Sequence, residues 1–258
     1  SMHREGIPRI YARKPFGELE NGLGIAFTAR EYLIQSFVHR SYLNENRTFP
    51  LAHNERLEFL GDAVLELVVT EFLVEHYLNP ESNLTSWRAA LVNAKMCAQV
   101  ANELGLDQYL FLSHGESKDA GTKAREIILA NAIEALIGAV YIDQGWGLAK
   151  QFITRWILSK LPTVLEFQLW ADPKSKFQEA AQEMIGTTPT YRVLEEDGLD
   201  HSKEFLVGVY LDRELITTGK GTSKQEAQIA AAEKGLEKKG WKGPKIDIIR
   251  RMPGEPFG

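Results

Sequence analysis

The chain has 258 residues, enough for one large domain or two smaller ones, and its 44% hydrophobic residues can form a substantial core. The formal net charge of −5 argues against binding of nucleic acid through a general basic surplus, so such binding would need local basic clusters. The single cysteine, Cys97, excludes an intrachain disulfide and a cysteine-based zinc site. With no signal-like N-terminus and no membrane-length apolar run, we expect a cytoplasmic protein without a membrane segment.

Hydrophobic periodicity predicts helices over most of residues 25–160. Thr28 and Glu31 have the spacing of a capping box at the start of the first helix. Asn54 is a suitable N-cap for the second helix. The second helix is predicted to run to about Tyr77. Further helices are predicted at 85–104, at 123–142 after a loop at 113–122, and at 148–161.

The pattern changes after Pro162, where three short alternating runs lie between two helical segments. The helices are predicted at 174–185 and 223–239, and the strands at 190–195, 204–211 and 214–218. We therefore predict an all-α domain followed by a small α+β domain of the order α-β-β-β-α. The predicted boundaries are 20–161 for the first domain, 162–171 for a linker, 172–242 for the second domain and 243–258 for a tail.

Three acids of the second predicted helix, Glu55, Glu58 and Asp62, are spaced i, i+3 and i+7. On an α-helix this spacing places them on one face, where like charges repel one another. The positive end of the helix dipole favours Glu55 and Glu58 but does not account for Asp62, which lies two turns further on. From the spacing alone, a solvated acidic face and a functional site both remain possible.

A further carboxylate, Glu134, stands in the apolar segment 127–138, three residues after Asn131. Burial of an unpaired carboxylate is costly, so Glu134 needs a partner. A hard cation such as Mg²⁺, which prefers oxygen ligands, is one candidate. An ion pair with Arg56 or Arg88 is the other.

The run His53–Asp62 (HNERLEFLGD) resembles the signature of the ribonuclease III family. Residues 134–139 resemble the second motif of that family, and 84–92 lie where it carries a similar stretch. The α-β-β-β-α unit resembles a double-stranded RNA-binding domain. Together the resemblance covers roughly residues 20–240.

This resemblance implies a metal-dependent endoribonuclease that hydrolyses double-stranded RNA in the processing of ribosomal, messenger and other RNA precursors, leaving 5′-phosphate and 3′-hydroxyl ends. It implies that Glu58, Asp62 and Glu134 are metal ligands, with Asp62 and Glu134 also catalytic. Asn131 joins the predicted ligand set, although most members carry an aspartate there. The expected cofactor is Mg²⁺, which Mn²⁺ can replace, with no organic cofactor.

The resemblance also implies a homodimer in which Phe59 inserts into the partner subunit. The alternative is that Phe59 is an ordinary core residue. Glu55 and Glu81 correspond to secondary acidic positions of the family. His53 is expected to make a structural contact before the helix rather than to act as a base.

In the second domain, the resemblance implies contacts to RNA from three regions. Ser175, Gln178 and Glu179 would meet 2′-hydroxyls in the minor groove. The second region is His201, in the loop between the first two strands. The third comprises Lys220, Ser223 and Lys224, where a helix N-terminus would meet RNA phosphates. Family members usually carry two or three basic residues at that helix start, whereas this chain has Lys224-Gln225-Glu226. With 11 basic and 13 acidic residues over 172–242, the sequence predicts modest affinity.

Two other functions agree with part of the sequence. A non-catalytic protein that binds double-stranded RNA and retains the fold would agree with Asn131 and with the weak basic cluster. An unrelated helical metal-dependent hydrolase would explain the acids but not the second domain. Because a dead site has no reason to keep mutually repulsive acids, the sequence favours the enzyme.

Overall fold

The computed structural model describes residues 2–166, 172–241 and 245–249. The chain forms two compact units, with the boundary between Val164 and Leu165, and it returns to the first unit at Ile248. The first unit is mainly helical, and the second combines helices with a three-stranded sheet, as the sequence predicts. No helix within the described residues has the length and apolar character needed to cross a membrane.

The first unit is a succession of helices with two long members, α5 and α9, at its centre. The helices are α1 (Met2–Tyr11), α2 (Phe16–Leu23), α3 (Arg30–Gln35), α4 (Arg40–Glu45), α5 (Glu55–His76), α6 (Glu81–Val92), α7 (Ala94–Glu103), α8 (His114–Ser117), α9 (Lys123–Gln144), α10 (Trp146–Trp156) and α11 (Leu161–Glu166). Short 3₁₀ turns lie at Leu106–Tyr109 and Leu158–Lys160.

The predicted capping box at Thr28 is wrong. The backbone N–H groups of Thr28 and Ala29 donate to the two carboxylate oxygens of Asp143, at 2.9 and 2.8 Å, and α3 begins only at Arg30. Asn54 precedes α5 as predicted, but its side chain donates to the carbonyl oxygen of Ser36 at 2.9 Å and does not cap the helix. In both places a hydrogen bond to a residue distant in sequence forms, and the predicted local cap does not.

The predicted helix 85–104 is two helices. Asn93 separates α6 from α7, and its side-chain oxygen accepts a hydrogen bond from the N–H of Met96 at 2.8 Å. An asparagine cap satisfies an orphan donor of a new helix, which explains the break. Beyond α10, helix α11 extends through the first residues of the predicted linker, and residues 167–171 lie outside the described residues.

Helices α5 and α9 are in direct backbone contact at two glycines. A Cβ atom built on Gly61 would overlap the carbonyl oxygen of Glu134 and lie 2.9 Å from the nitrogen of Gly138. A Cβ atom on Gly138 would overlap the carbonyl oxygen of Leu57 and lie 3.2 Å from the nitrogen of Gly61. Only residues without a side chain allow this approach, so the pair fixes the register of the two helices.

The second unit places two helices against an antiparallel sheet in the order β1-β2-β3. Its core contains Phe177, Val209 and Ile216, with Ala231 and Ala232 packing the last helix on the sheet as predicted. Its elements are α12 (Pro173–Ile185), β1 (Thr190–Asp197), β2 (Glu204–Leu211), β3 (Glu214–Gly221) and α13 (Lys224–Lys239).

Strand β3 also approaches a helix through glycines. A Cβ atom on Gly219 would overlap the backbone nitrogen of Ala231, and one on Gly221 would lie 2.5 Å from the backbone nitrogen of Ala227. Lys220 lies between these two glycines. The contact therefore fixes its backbone relative to the start of α13.

Part of the predicted tail contacts the first unit. Ile248 forms an isolated antiparallel bridge with Tyr77, and the N–H of Ile249 donates to the carbonyl oxygen of His76 at 2.8 Å. The described part of the predicted tail is 245–249, and the rest lies outside the described residues.

The glycine contact between α5 and α9 yields a first prediction. We expect Gly61→Ala to lower the free energy of unfolding of the first unit by about 2–4 kcal/mol, because the new methyl group must push two backbones apart. Thermal unfolding followed by circular dichroism measures the change. Gly22→Ala is the control, since a Cβ atom on Gly22 meets nothing within 4 Å. Equal melting temperatures for the two variants would contradict the close approach.

Candidate functional site

The contact between α5 and α9 brings three predicted site acids together. Glu58 and Asp62 flank Gly61 on α5, and Gly61 lies against the backbone of Glu134 on α9. Glu58 and Glu134 are partly buried, whereas Asp62 is exposed. The side chains of Glu134 and Asp62 are close enough to share a hydrogen bond. Asp62 and Glu134, which are 72 residues apart in the sequence, therefore belong to one cluster in the structure.

The three acids disfavour one another's ionised forms. Burial raises the pKa of Glu134 to about 8, and the negative charges of Asp62, Glu58 and Glu66 act in the same direction. Burial also raises the pKa of Glu58, as do Asp62 and Glu55, while Arg40 opposes the shift. Upward shifts of this kind are typical of carboxylates that share a site.

Among the residues that the structure describes, no arginine forms an ion pair with Glu134. Nε of Arg88 lies 3.0 Å from a carboxylate oxygen of Glu66, and its Nη1 donates to Thr70 at 2.9 Å. The charged groups that shift the pKa of Glu134 are all carboxylates. The ion-pair alternative is therefore wrong for Arg88, and the exposed Arg56 does not take its place in the cluster.

The donor set fits a hard divalent cation. Glu58, Asp62 and Glu134 supply carboxylate oxygens, and Asn131, which is partly buried one turn before Glu134 on α9, supplies an amide oxygen. Among the described residues, no three His, Cys, Asp or Glu side chains already surround a common centre. Because carboxylates repel one another when no cation is present, we expect them to converge only around one.

The secondary acids lie at the margin of this cluster or away from it. Glu55 is exposed, and its carboxylate lies 3.4 Å from Nη2 of Arg40 and 3.9 Å from Nε2 of His53. His53 thus has the structural contact expected from the sequence. Glu81 begins α6, beyond the opposite end of α5, so the structure does not bring it together with the other acids within one protomer.

Phe59 is 83% exposed, so the alternative of a core phenylalanine is wrong. Leu67 and Val74 follow it on the same side of α5 and are 55% and 48% exposed. We call Phe59, Leu67 and Val74 the α5 stripe. A row of exposed apolar side chains of this kind is typical of a surface that contacts another protein.

In the second unit, a surface groove of about 850 Å³ brings together four of the predicted RNA contacts. His201 comes from the loop between β1 and β2, Lys220 from the end of β3, and Ser223 and Lys224 from the start of α13. The other three predicted contacts, Ser175, Gln178 and Glu179, belong to α12.

The start of α13 has a local side-chain cap that the sequence did not predict. The hydroxyl of Ser223 accepts the N–H of Glu226 at 3.1 Å, and the carboxylate of Glu226 accepts the hydroxyl of Thr222 at 2.6 Å. Glu226 therefore has a local structural role, and Lys224 occupies the first helical position.

Sequence reasoning missed one basic residue of the groove, Lys203. Its Nζ lies 2.7 Å from a carboxylate oxygen of Glu196 and 3.5 Å from one of Asp200. The available signal was a lysine two residues after His201. Its partner Glu196 could be identified only from the register of β1 on β2.

Comparison with known families matches both units. A family model described as Ribonuclease-III-like matches residues 30–161, and one described as a double-stranded RNA binding motif matches residues 173–239. Ribonuclease 3 of Chloroflexus aurantiacus is 40% identical over 236 residues, which cover 89% of this chain and 95% of that protein. Ribonuclease 3 of Enterococcus faecalis is 41% identical over 221 residues, covering 85% of this chain and 95% of that protein.

A solved structure agrees with the helical unit. The nuclease domain of ribonuclease III from Campylobacter jejuni, in a structure that concerns flexibility in a region involved in dimer formation, is 39% identical with a TM-score of 0.50. The matched region covers 56% of this chain and 96% of the Campylobacter jejuni chain. The acids of the cluster thus lie in a unit that is similar to a known nuclease domain.

The raised pKa of Glu134 yields a second prediction. Without metal, the folded state keeps a proton on Glu134 up to about pH 8, whereas an unfolded glutamic acid loses it near pH 4.5. The stability that this proton provides is complete below the unfolded pKa and is lost as the pH rises through the folded pKa. In EDTA, the melting temperature of the wild type should therefore fall relative to that of Glu134→Gln between about pH 5 and pH 8. Parallel pH profiles would contradict the shift.

Proposed function

Because this chain belongs to the ribonuclease III family and is an endoribonuclease of double-stranded RNA, we propose that Glu58, Asp62 and Glu134, together with Asn131, hold its catalytic Mg²⁺. The observation that carries this assignment is the cluster of acids at the Gly61–Gly138 contact, where carboxylates from two helices meet and the neighbouring charges that shift the pKa of Glu134 are negative. The proposed products carry 5′-phosphate and 3′-hydroxyl ends.

Each acid has a separate task in the proposed reaction. A divalent metal bound there supplies Lewis-acid activation of water and of the scissile phosphate. Glu134 holds a proton at neutral pH and would lose it on binding a divalent metal, because a nearby cation favours the carboxylate. Asp62, as the exposed acid, faces the solvent side, where an RNA phosphate can approach. Glu58 adds a partly buried charge that keeps the site selective for cations.

The proposed biological role is the processing of ribosomal, messenger and other RNA precursors in the cytoplasm. This proposal is supported by similarity to Ribonuclease 3 proteins over most of the chain. The non-catalytic alternative has no support from the site, since an RNA-binding module alone needs no electrostatically unfavourable cluster of carboxylates.

We also propose that the protein works as a homodimer through the α5 stripe. Phe59 is exposed beside the acids of the same helix, where solvation of an aromatic side chain is unfavourable. The Campylobacter jejuni nuclease domain, which has a region involved in dimer formation, supports this assignment. In such a dimer, Glu81 of one subunit and the acid cluster of the other are candidates for one shared cleft.

The proposed function has a direct test, which is the third prediction. The full chain should cut a long RNA duplex with Mg²⁺ or Mn²⁺, and it should spare single strands and DNA duplexes. Glu134→Gln should lower the cleavage rate at least about 100-fold, because it removes a ligand charge from the site. Gel analysis of end-labelled duplex measures the rate.

The control is duplex binding by the same variant in EDTA, which should match that of the wild type because the second unit is unchanged. Undiminished cleavage in excess EDTA would overturn the metal assignment. Loss of binding in Glu134→Gln would show that the substitution damages the fold instead of the chemistry.

Asn131 provides a fourth prediction. An amide in place of a carboxylate removes one negative charge next to the cation but keeps an oxygen at similar reach, so Asn131→Asp should lower the Mg²⁺ concentration that gives half the maximal rate. Mn²⁺, which generally binds protein sites more tightly than Mg²⁺ does, should narrow the difference between the two forms. Cleavage rates over a Mg²⁺ titration measure both forms. Superimposable curves would exclude Asn131 from the ligand set.

The α5 stripe provides a fifth prediction. Phe59→Ala should raise the dissociation constant of the dimer by about 30-fold or more, as expected for an aromatic anchor at an interface. Analytical ultracentrifugation of the full chain over a concentration series measures the constant. Leu199→Ala, at a position that is 69% exposed in the second unit, is the matched control and should leave the constant unchanged. A monomeric wild type at micromolar concentration would overturn the proposal.

A further inference from the structure

Lys203 lines the same groove as His201, Lys220 and Lys224. It stands at the end of the β1–β2 loop, immediately before β2. Its side chain is 35% exposed, so solvent and ligands can reach it. The position is that of a basic residue facing the surface that is assigned to RNA.

Two acids already neutralise Lys203. Glu196, near the end of β1, lies 2.7 Å from its Nζ, and Asp200, in the loop, lies 3.5 Å from it. Glu196 pairs with Phe205 in the sheet, and Lys203 lies two residues before Phe205. The strand register therefore brings the side chain of Glu196 close to the backbone of Lys203. The charge of Lys224 also lowers the pKa of Glu196, which places this carboxylate within the field of two lysines of the groove.

The groove as a whole is balanced in charge. Three lysines line it, and so do three acids, Asp200, Glu204 and Glu226. Glu226 has its own structural partners at the start of α13, in Thr222 and the backbone. Glu196, unlike Glu226, does not bind the start of a helix. Within the described part of the chain, its side chain accepts a hydrogen bond from Lys203 alone.

We propose that Lys203 is a phosphate-binding residue of this protein and that Glu196 competes with the RNA backbone for it. Exposed ion pairs are weak, so a phosphate can displace Glu196 at low cost. The displaced carboxylate then lies near the RNA backbone and lowers the affinity. Glu196 thereby limits duplex binding at the groove, in agreement with the near-neutral charge of the domain. The inference rests on the proposed RNA-binding role of this groove.

The test is a double-mutant cycle on duplex affinity, measured by fluorescence anisotropy of a labelled RNA duplex with the full chain in EDTA. Glu196→Gln should tighten binding about fivefold, and Lys203→Gln should weaken it by a similar factor. In the double variant the gain from Glu196→Gln should be smaller than in the single variant, because the competition for Lys203 is gone and only the repulsion between the carboxylate and the RNA backbone is relieved. Lys203→Gln should also reduce the slope of log affinity against log salt by about one, because one phosphate contact is lost.

Two controls separate this pair from general charge and from folding. Glu237→Gln makes the same change of charge in the last turn of α13, away from the groove, and should change affinity less than twofold. Lys203→Arg keeps the charge and should keep the affinity. Melting curves confirm that each variant is folded.

Two results would overturn the inference. If Glu196→Gln weakens binding as much as Lys203→Gln does, with an unchanged salt slope, the pair only fastens the β1–β2 loop. If Lys203→Gln binds like the wild type, Lys203 does not meet phosphate. A wild type that fails to bind the duplex would instead overturn the RNA-binding role of the groove itself.

Discussion

The backbone contact between Gly61 and Gly138 determines where the carboxylates of this protein stand. Larger side chains would separate α5 from α9, and the acids of α5 would then move away from Glu134. Close helix packing and the functional cluster are therefore two results of one contact. The second unit uses a similar solution, since Gly219 and Gly221 bring β3 against α13 and so fix a lysine beside the start of that helix.

The acid cluster that this contact creates is unfavourable in the absence of a cation. Burial and three neighbouring carboxylates keep Glu134 protonated at neutral pH, and Glu58 shows a shift in the same direction. Asn131, one turn before Glu134 on α9, adds no further negative charge to this face of the helix. In the metal site that we propose, fold stability and metal affinity oppose each other, and Asn131 favours stability at a position where the resemblance implies an aspartate in most members of the family.

The sequence predicted the long helices and the α-β-β-β-α unit because their apolar periods are strong and local. It also predicted the members of the cluster, since the run from His53 to Asp62 resembles a family signature. It failed where a distant partner replaced a local one: Asp143 binds the backbone before α3, and Asn93 divides one predicted helix in two. The state of Glu134 and the pairing of Lys203 depend on packing and strand register, which no local pattern contains.

In the metal site that we propose, a cation replaces the proton that Glu134 and Asp62 share in the metal-free protein. The most direct measurement is proton release on addition of Mn²⁺ to the metal-free protein in weakly buffered solution, followed with an indicator dye. Since the pKa of Glu134 is raised to about 8, we expect about one proton to be released per site at pH 7, and progressively fewer above pH 8. Glu134→Gln should release none. Saturable Mn²⁺ binding by the wild type at pH 7 without proton release would contradict the account.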